Sequence, residues 1–255
     1  MQFGLDATRT GIIETPRATE LAALISAVST PTPIHQLIRS VSIHVGASAA
    51  ESLVADLVAF RILVPADPVP VVLLGHSALA KQLTKLLRTS DVEVRAPMRN
   101  TTDERFVARA DDWLPVVSVD QLGVAGDVAR MTKHRAGAVI PVSMVDSRVI
   151  VGPLHTGPGV ACPLCSALHL ADVDSGWEDA LSQFPAGPHS PDPVVLAAGI
   201  AAAATYIRRV AGVPDPPGVT APHPVPGELM VADPFAPTTV KRSIVRPHPR
   251  CGACG

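Results

Sequence analysis

The sequence predicts an α/β chain in two parts: a small winged-helix module, then a larger domain around a central sheet. Three observations predict it. Residues 1–65 hold two short apolar segments and three helical patterns. The stretch ADPVP at 66–70 reads as an extended linker, because each proline drives its predecessor out of helix geometry. From there to residue 255, short apolar strands alternate with helices, the pattern of a sheet between helical layers. The 255 residues are 47% hydrophobic and 17% charged, which excludes an intrinsically disordered chain.

In the first part, Gln2–Leu5 and Gly11–Thr15 read as strands joined by the polar turn DATRT. Arg17–Val28 carries Leu21, Leu24, Ile25 and Val28 on one helical stripe. Pro33–Val45 opens with proline near its first turn, where helices accept it. Ser48–Leu63 begins with Ser48 and Glu51 at capping-box spacing, and places Leu53, Val54, Leu57, Val58 and Ile62 at helical intervals. Two strands and three short helices are the outline of a winged helix.

In the second part, Val69–Leu74 is a continuous apolar run, as in a parallel strand buried on both faces. A helix follows at Ser77–Leu87, then strands at Val92–Arg95 and Pro115–Val119, a helix near Asp127–Arg135, and strands at Ala138–Met144 and Arg148–Val151. Beyond Gly152 come CPLC (162–165), a Pro-rich loop near 184–193, an Ala-rich helix to about Val210, a second Pro-rich loop at 214–227, and strands Glu228–Ala232 and Thr238–Val245. The apolar run Val194–Ile207 is shorter than the roughly 20 residues a membrane span needs. With no basic-then-apolar leader at the N-terminus, the expectation is a cytoplasmic protein with no membrane partner.

Cys162 and Cys165 form one C-x-x-C pair, and Cys251 and Cys254 form a second. Two such pairs are a four-thiolate zinc signature, each supplying two corners of a tetrahedron. All corners are then sulfur, so the zinc is structural. Gly252 and Gly255 suit a tight second knuckle. His155, His169, His223 and His248 lie near the pairs and could brace them, or be plain solvated histidines.

The first strand–helix turn invites comparison with a phosphate loop. It reads Val71-Val72-Leu73-Leu74-Gly75-His76-Ser77-Ala78-Leu79-Ala80. A dinucleotide fingerprint needs three spaced glycines. Only Gly75 is present, with Ser77 and Ala80 in the other two places. This degenerate loop argues against ATP or NAD as a cofactor. No nucleophile–base arrangement distinguishes itself, so no catalytic residue is assigned.

These residues together resemble a family. FGLD (3–6), VGPL with GPGVACPLC (151–165), Trp177, the Ala-rich helix (194–204) and the terminal HPRCGACG (248–255) are similar to the leader-peptide-binding, cyclodehydratase-associated proteins of thiazole/oxazole-modified microcin biosynthesis. Those proteins are degenerate relatives of ThiF/MoeB-type adenylating enzymes. The resemblance implies a PqqD-like winged-helix module before a ThiF/MoeB-like α/β domain with a four-Cys zinc. It implies that a ribosomal precursor's leader peptide adds as a strand at Ile12, Ile13 and Glu14 and packs on Leu53, Val54 and Val58. Plain core packing is the competing reading of the last three. A YcaO-type enzyme is the implied partner, and a homodimer the implied assembly. The family's arginine in the stretch after CPLC is absent here, where Leu170 and Ala171 stand.

Two other functions compete with a non-catalytic peptide-binding role. An active ThiF/MoeB-type adenylating enzyme requires ATP at the Gly75 loop. A winged-helix DNA-binding regulator requires a basic third helix, yet Glu51 and Asp56 stand there with Arg61 alone. The net charge of −2 likewise gives no pull toward nucleic acid.

Overall fold

Val71-Val72-Leu73-Leu74 is apolar at every position, and β1 (Val71–Leu74) is buried on both faces. In the computed structural model, which describes residues 1–6, 10–28, 30–98, 100–183, 190–219 and 221–254, this strand lies inside a seven-stranded sheet. The chain divides into two units. One comprises Met1–Asp67 with Pro214–Pro222, and the other Pro68–Val213 with His223–Gly255.

The larger unit holds the sheet. β2 (Val94–Arg95), β1, β3 (Val116–Val119) and β4 (Val139–Val145) run parallel. β5 (Arg148–Val151), β6 (Glu228–Ala232) and β7 (Val240–Ile244) continue it antiparallel, giving the order β2-β1-β3-β4-β5-β6-β7. Because successive strand residues face opposite ways, Leu73, Val117, Val119, Ile140, Val142 and Val149 form one face of the core. Val72, Leu74 and Val116 turn to the other, where they meet Val107, Leu114 and Phe106.

Two helices cover the first face. α4 (Ala78–Arg88) buries Leu79, Ala80, Leu83 and Leu87. Ser77 caps it, its hydroxyl accepting from the Ala80 N–H at 3.1 Å, and Lys85 and Arg88 complement the dipole in the last turn. α9 (Pro193–Val210) is the Ala-rich helix. Asp192 accepts from the Val194 and Val195 amides at 2.8 and 3.1 Å, and Pro193 fits the first turn, where its missing N–H costs nothing. Among the described residues α9 is the one helix long and apolar enough to cross a membrane, with mean hydropathy 1.3. Here Ile200, Ala203, Ala204 and Ile207 pack into the sheet core.

The smaller unit is built from α1 (Ala18–Ser26), α2 (Ile34–Val45) and α3 (Ala47–Ala59) around Leu21, Leu37, Val41, Ala50 and Val54. The two strands expected at its start shrink to one antiparallel bridge, Gln2↔Ile12. Gly4 and Gly11 both take φ of +74°, which interrupts an extended run on either side. Residues 7–9 of the DATRT turn lie outside the described residues. The capping box at Ser48 and Glu51 does not form. Gly46, at φ +84°, ends α2 and starts α3 in one residue, donating to the Ser42 carbonyl and accepting from the Ala50 N–H. Ser48 therefore falls inside the first turn.

Three helices went unpredicted: α5 (Asp103–Val107), α7 (Pro163–Val173) and α8 (Trp177–Gln183). α6 (Ala125–Thr132) starts and ends earlier than the expected Asp127–Arg135. Most of the Pro-rich loop near 184–193 lies outside the described residues.

Gly199 sets how closely α9 approaches β5. A Cβ there would lie 2.2 Å from Val149 Cγ2, on a side chain that is fully buried and stiff at χ1. Gly199→Ala should lower stability by about 2 kcal/mol through overpacking, despite alanine's better helix propensity. Chemical denaturation measures this, and Val149→Ala in the same chain should restore most of the loss.

Candidate functional site

Cys162 precedes α7, and Pro163 occupies the first helical position. The Cys165 N–H donates to the Cys162 carbonyl at 3.0 Å, closing the first knuckle. This brings the two Sγ atoms to 3.8 Å. The terminal segment supplies the second pair: Cys162 and Cys251 Sγ are 3.6 Å apart, and Cys165 and Cys254 Sγ are 3.3 Å apart. All four sulfurs lie within 4.8 Å of one another, and none is in a disulfide.

Zinc–sulfur bonds of about 2.3 Å at tetrahedral angles place sulfurs about 3.8 Å apart. The cluster thus fits one zinc held by Cys162, Cys165, Cys251 and Cys254. Such an ion would serve as a cross-link, since four thiolates leave no coordination position for water or substrate. The surroundings are apolar, with Ala129 and Ala161 against the sulfurs. Burial pushes the Cys162 thiol well up, and pushes Cys254 up to about 12. At Cys251 burial also acts upward, but hydrogen bonds from the Ala253 and Cys254 backbone and from neighbouring thiols lower it to about 7. A divalent cation bound by the four sulfurs would favour their thiolate forms. A Cβ at Gly252 would meet no protein atom within 4 Å. Gly255 lies outside the described residues.

The histidines separate clearly. The His248 N–H donates to Cys165 Sγ at 3.3 Å. Its Nδ1 accepts from the Arg250 N–H at 3.1 Å, so the proton sits on Nε2, which donates to Asp172 at 2.7 Å. Arg250 also pairs with Asp172. The His248 hydrogen bond, with the Arg250 charge, holds the Asp172 carboxyl below its ordinary range. His169 stands edge-on to His248 at 4.7 Å. His155 is buried and bonds the Val160 carbonyl, its ring pKa lowered by burial. His223 is exposed. Asp172 escaped the sequence reading, although Cys165, His169 and Asp172 fall at i, i+4 and i+7 on one helix face.

The crevice after β1 lacks a phosphate cradle. Gly75 takes φ +108°, and a Cβ there would lie 2.3 Å from the Val119 carbonyl oxygen. Its freedom serves packing of β1 on β3. The Ala80 N–H, which a phosphate would need, is taken by Ser77. Asp120, beyond the end of β3, accepts from the Met144 N–H at 2.8 Å and from Ser77. A carboxylate at a strand end can hold a magnesium ion as readily as it repels bare phosphate, so Asp120 does not decide for or against a nucleotide. A pocket on the opposite face, lined by Ser118, Gln121, Ser143 and Ser166, has no ionisable side chain among its described lining residues.

Of the six residues assigned to peptide binding, Ile12 is 61% exposed. Ile13, Leu53 and Val58 are half-buried, and Glu14 is exposed. Val54 is a correction: at 1% exposed it packs with Leu21, Leu37 and Val41, and presents nothing to a ligand.

Comparison with solved structures finds the same fold at low identity. A heterocyclase in complex with substrate and cofactor aligns over 92% of this chain and 35% of that one, at 17% identity and TM-score 0.56. The heterocyclase TruD aligns over 92% and 38%, at 17% identity and TM-score 0.55. Escherichia coli MccB with succinimide aligns over 73% and 66%, at 14% identity and TM-score 0.50. The chain spans little more than a third of the length of the two heterocyclases. No family model matches the sequence, and no curated protein matches it significantly.

Two outcomes follow. Cys254→Ser should abolish zinc retention and lower stability by about 4 kcal/mol or more, roughly 10 °C in Tm for a chain this size. Metal analysis with thermal denaturation checks both. Burial raises the Asp120 pKa above 3.8, so the folded state keeps a proton that the unfolded state releases. That contribution is fully present below 3.8 and is lost as pH rises through the folded value. Asp120→Asn still accepts from Met144 without a charge. Denaturation across acidic to neutral pH should show it gaining on the wild type as pH rises. A variant that loses stability equally at every pH contradicts the assignment.

Proposed function

We propose that this chain is a non-catalytic subunit in the biosynthesis of peptide natural products. In this reading it binds the leader peptide of a ribosomal precursor and presents the precursor to a YcaO-type cyclodehydratase in the cytoplasm. The observation that carries the non-catalytic part is the Gly75 loop, where Ser77 and Ala80 stand in place of the glycines of a phosphate cradle and the Ser77 hydroxyl caps the Ala80 N–H. The fold shared with two heterocyclases supports the pathway class.

The small unit is read as a winged-helix, PqqD-like module. Backbone geometry supports a peptide edge there. The Ile13 N–H donates to the Met1 carbonyl at 2.8 Å, and the Ile13 carbonyl accepts from the Met1 amino group at 2.6 Å. By alternation, the amides and carbonyls of Ile12 and Glu14 face the other way. A leader strand added there would bond those groups and cover Ile12, Leu53 and Val58. Exposed Glu51 and Asp56 on α3 oppose a DNA-binding use of the same helix.

A fluorescein-labelled leader segment, taken from a short precursor gene beside a YcaO-type gene, tests the proposal by anisotropy. Saturable binding is expected, weakened about tenfold or more in Ile12→Asp. Incubation with ATP and magnesium should give no pyrophosphate exchange. Absence of leader binding overturns the peptide role, and exchange activity overturns the non-catalytic one.

A further inference from the structure

β7 ends the sheet, and every residue of it is exposed. Its pairing with β6 fixes which backbone groups remain available. The Val245 N–H donates to the Gly227 carbonyl, and the Asp233 N–H to the Thr239 carbonyl, both at 2.9 Å. The intervening register is Ala232↔Val240, Met230↔Arg242 and Glu228↔Ile244. In an antiparallel ladder, hydrogen-bonded pairs alternate with non-bonded ones. Residues 239, 241, 243 and 245 therefore turn their amides and carbonyls to β6. Val240, Arg242 and Ile244 turn theirs outward, and no described residue bonds them.

The side chains on this edge are as specific as its backbone. Residues opposite one another share a sheet face, so Val240, Arg242 and Ile244 stand on the face of Glu228, Met230 and Ala232. Val240 and Ile244 are 43% and 59% exposed there, flanking Arg242. Lys241 points to the other face, Arg246 follows, and residues 234–250 include no acidic side chain. In a chain of net charge −2, this edge is a local basic strip. Arg242 forms an ion pair with the buried Glu228 carboxylate at 3.6 Å, beyond hydrogen-bond length, so part of its charge is compensated while its N–H donors are still available for a second carboxylate.

We propose that the β7 edge docks an extended acidic strand from another protein, with a carboxylate opposite Arg242 and apolar residues opposite Val240 and Ile244. Main-chain bonds to the three outward residues would supply the ladder, and the charge would select the partner. A second copy of this chain is the poorer occupant. Twofold pairing that uses all three outward residues sets Arg242 against Arg242. The register centred on Ser243 sets Val240 against Arg246, whose carbonyl is already bonded to His169, and the register centred on Lys241 sets Lys241 against Lys241. Like charges directly opposite destabilise a strand pair. This site lies in the larger unit and is separate from the leader edge proposed at Ile12 and Glu14.

The test uses the full chain and two fluorescein-labelled peptides, with cores Val-Thr-Glu-Glu-Ile and Val-Thr-Lys-Lys-Ile. Antiparallel addition places the glutamates opposite Arg242 and Lys241. Anisotropy should show saturable binding of the glutamate peptide and at least about tenfold weaker binding of the lysine peptide. Val240→Pro removes an outward N–H at the first residue of an edge strand, where proline leaves the β6 pairing intact. It should cost a similar factor with an unchanged thermal melt. Lys241→Glu, a surface change, should shift preference toward the lysine peptide. Ile12→Asp should bind the glutamate peptide as the wild type does, which separates this site from the leader edge. The proposal fails if the glutamate peptide does not saturate into the millimolar range, if both peptides bind alike, or if Val240→Pro has no effect. A concentration-dependent dimer in sedimentation that Val240→Pro abolishes would assign the edge to a second copy instead.

Discussion

Four cysteines from two distant parts of the chain meet in one cluster, where a zinc ion would cross-link them. The segment after β7 reads Arg246-Pro247-His248-Pro249-Arg250-Cys251-Gly252-Ala253-Cys254 and has almost no apolar side chain to bury. The apolar groups it does bury are Ala253 and the two cysteines, which pack with Ala129, Ala161, Leu164 and Val245. Its position depends on Cys251 and Cys254 meeting Cys162 and Cys165 at the start of α7. The Asp172–His248–Arg250 hydrogen bonds brace the same junction from the far end of that helix. Through Val245, which bonds Gly227, the anchored segment also fixes the end of β7 and so the edge of the sheet. Ala129 and Ala161 pack against the sulfurs, with Leu164 and Val245 at the margin of the same cluster.

The remainder of the large unit is a mixed seven-stranded sheet with helices packed against it, and its first strand–glycine–helix turn carries one glycine where a dinucleotide fingerprint has three. Sheet, order and crossover helices are those of a fold that hosts several chemistries, so the fold by itself assigns none. What distinguishes this chain is local. Gly75 serves the close approach of β1 to β3, Ser77 spends its hydroxyl on the helix cap, and Asp120 places a buried carboxyl at the strand ends. Open backbone edges stand out, at Ile12 and Glu14 in one unit and at β7 in the other. Both are the places where the two proposals above put an extended peptide.

Much of this was legible in the sequence, for physical reasons. VVLL is a continuous apolar run, and VVSV is apolar but for Ser118, because their strands are buried on both faces, and burial writes itself into composition. The cysteine spacing is legible because tetrahedral sulfur geometry admits few spacings. Other features were hidden. The N-terminal strands looked longer than the single bridge they form, because apolar alternation does not reveal that Gly4 and Gly11 adopt positive φ. Ser48 and Glu51 have capping-box spacing, yet Gly46 begins the helix first. α7 was obscured by its own cysteines, which drew the eye as ligands and away from the Leu-Cys-Ser-Ala-Leu-His-Leu helical run. Val54 matched a binding position in the resemblance, but helix phase alone does not say which side of a stripe faces a partner and which the core. Asp120 and Asp172 work through tertiary contacts that no local pattern announces.

The measurement that bears most directly on this account is X-ray absorption at the zinc edge, on protein purified without added metal. It should show one zinc per chain with a first shell of four sulfurs at about 2.3 Å. A shell containing nitrogen or oxygen donors, or protein that is metal-free and equally stable, would contradict the cross-link on which the sheet edge, α7 and the terminal segment are all said to depend.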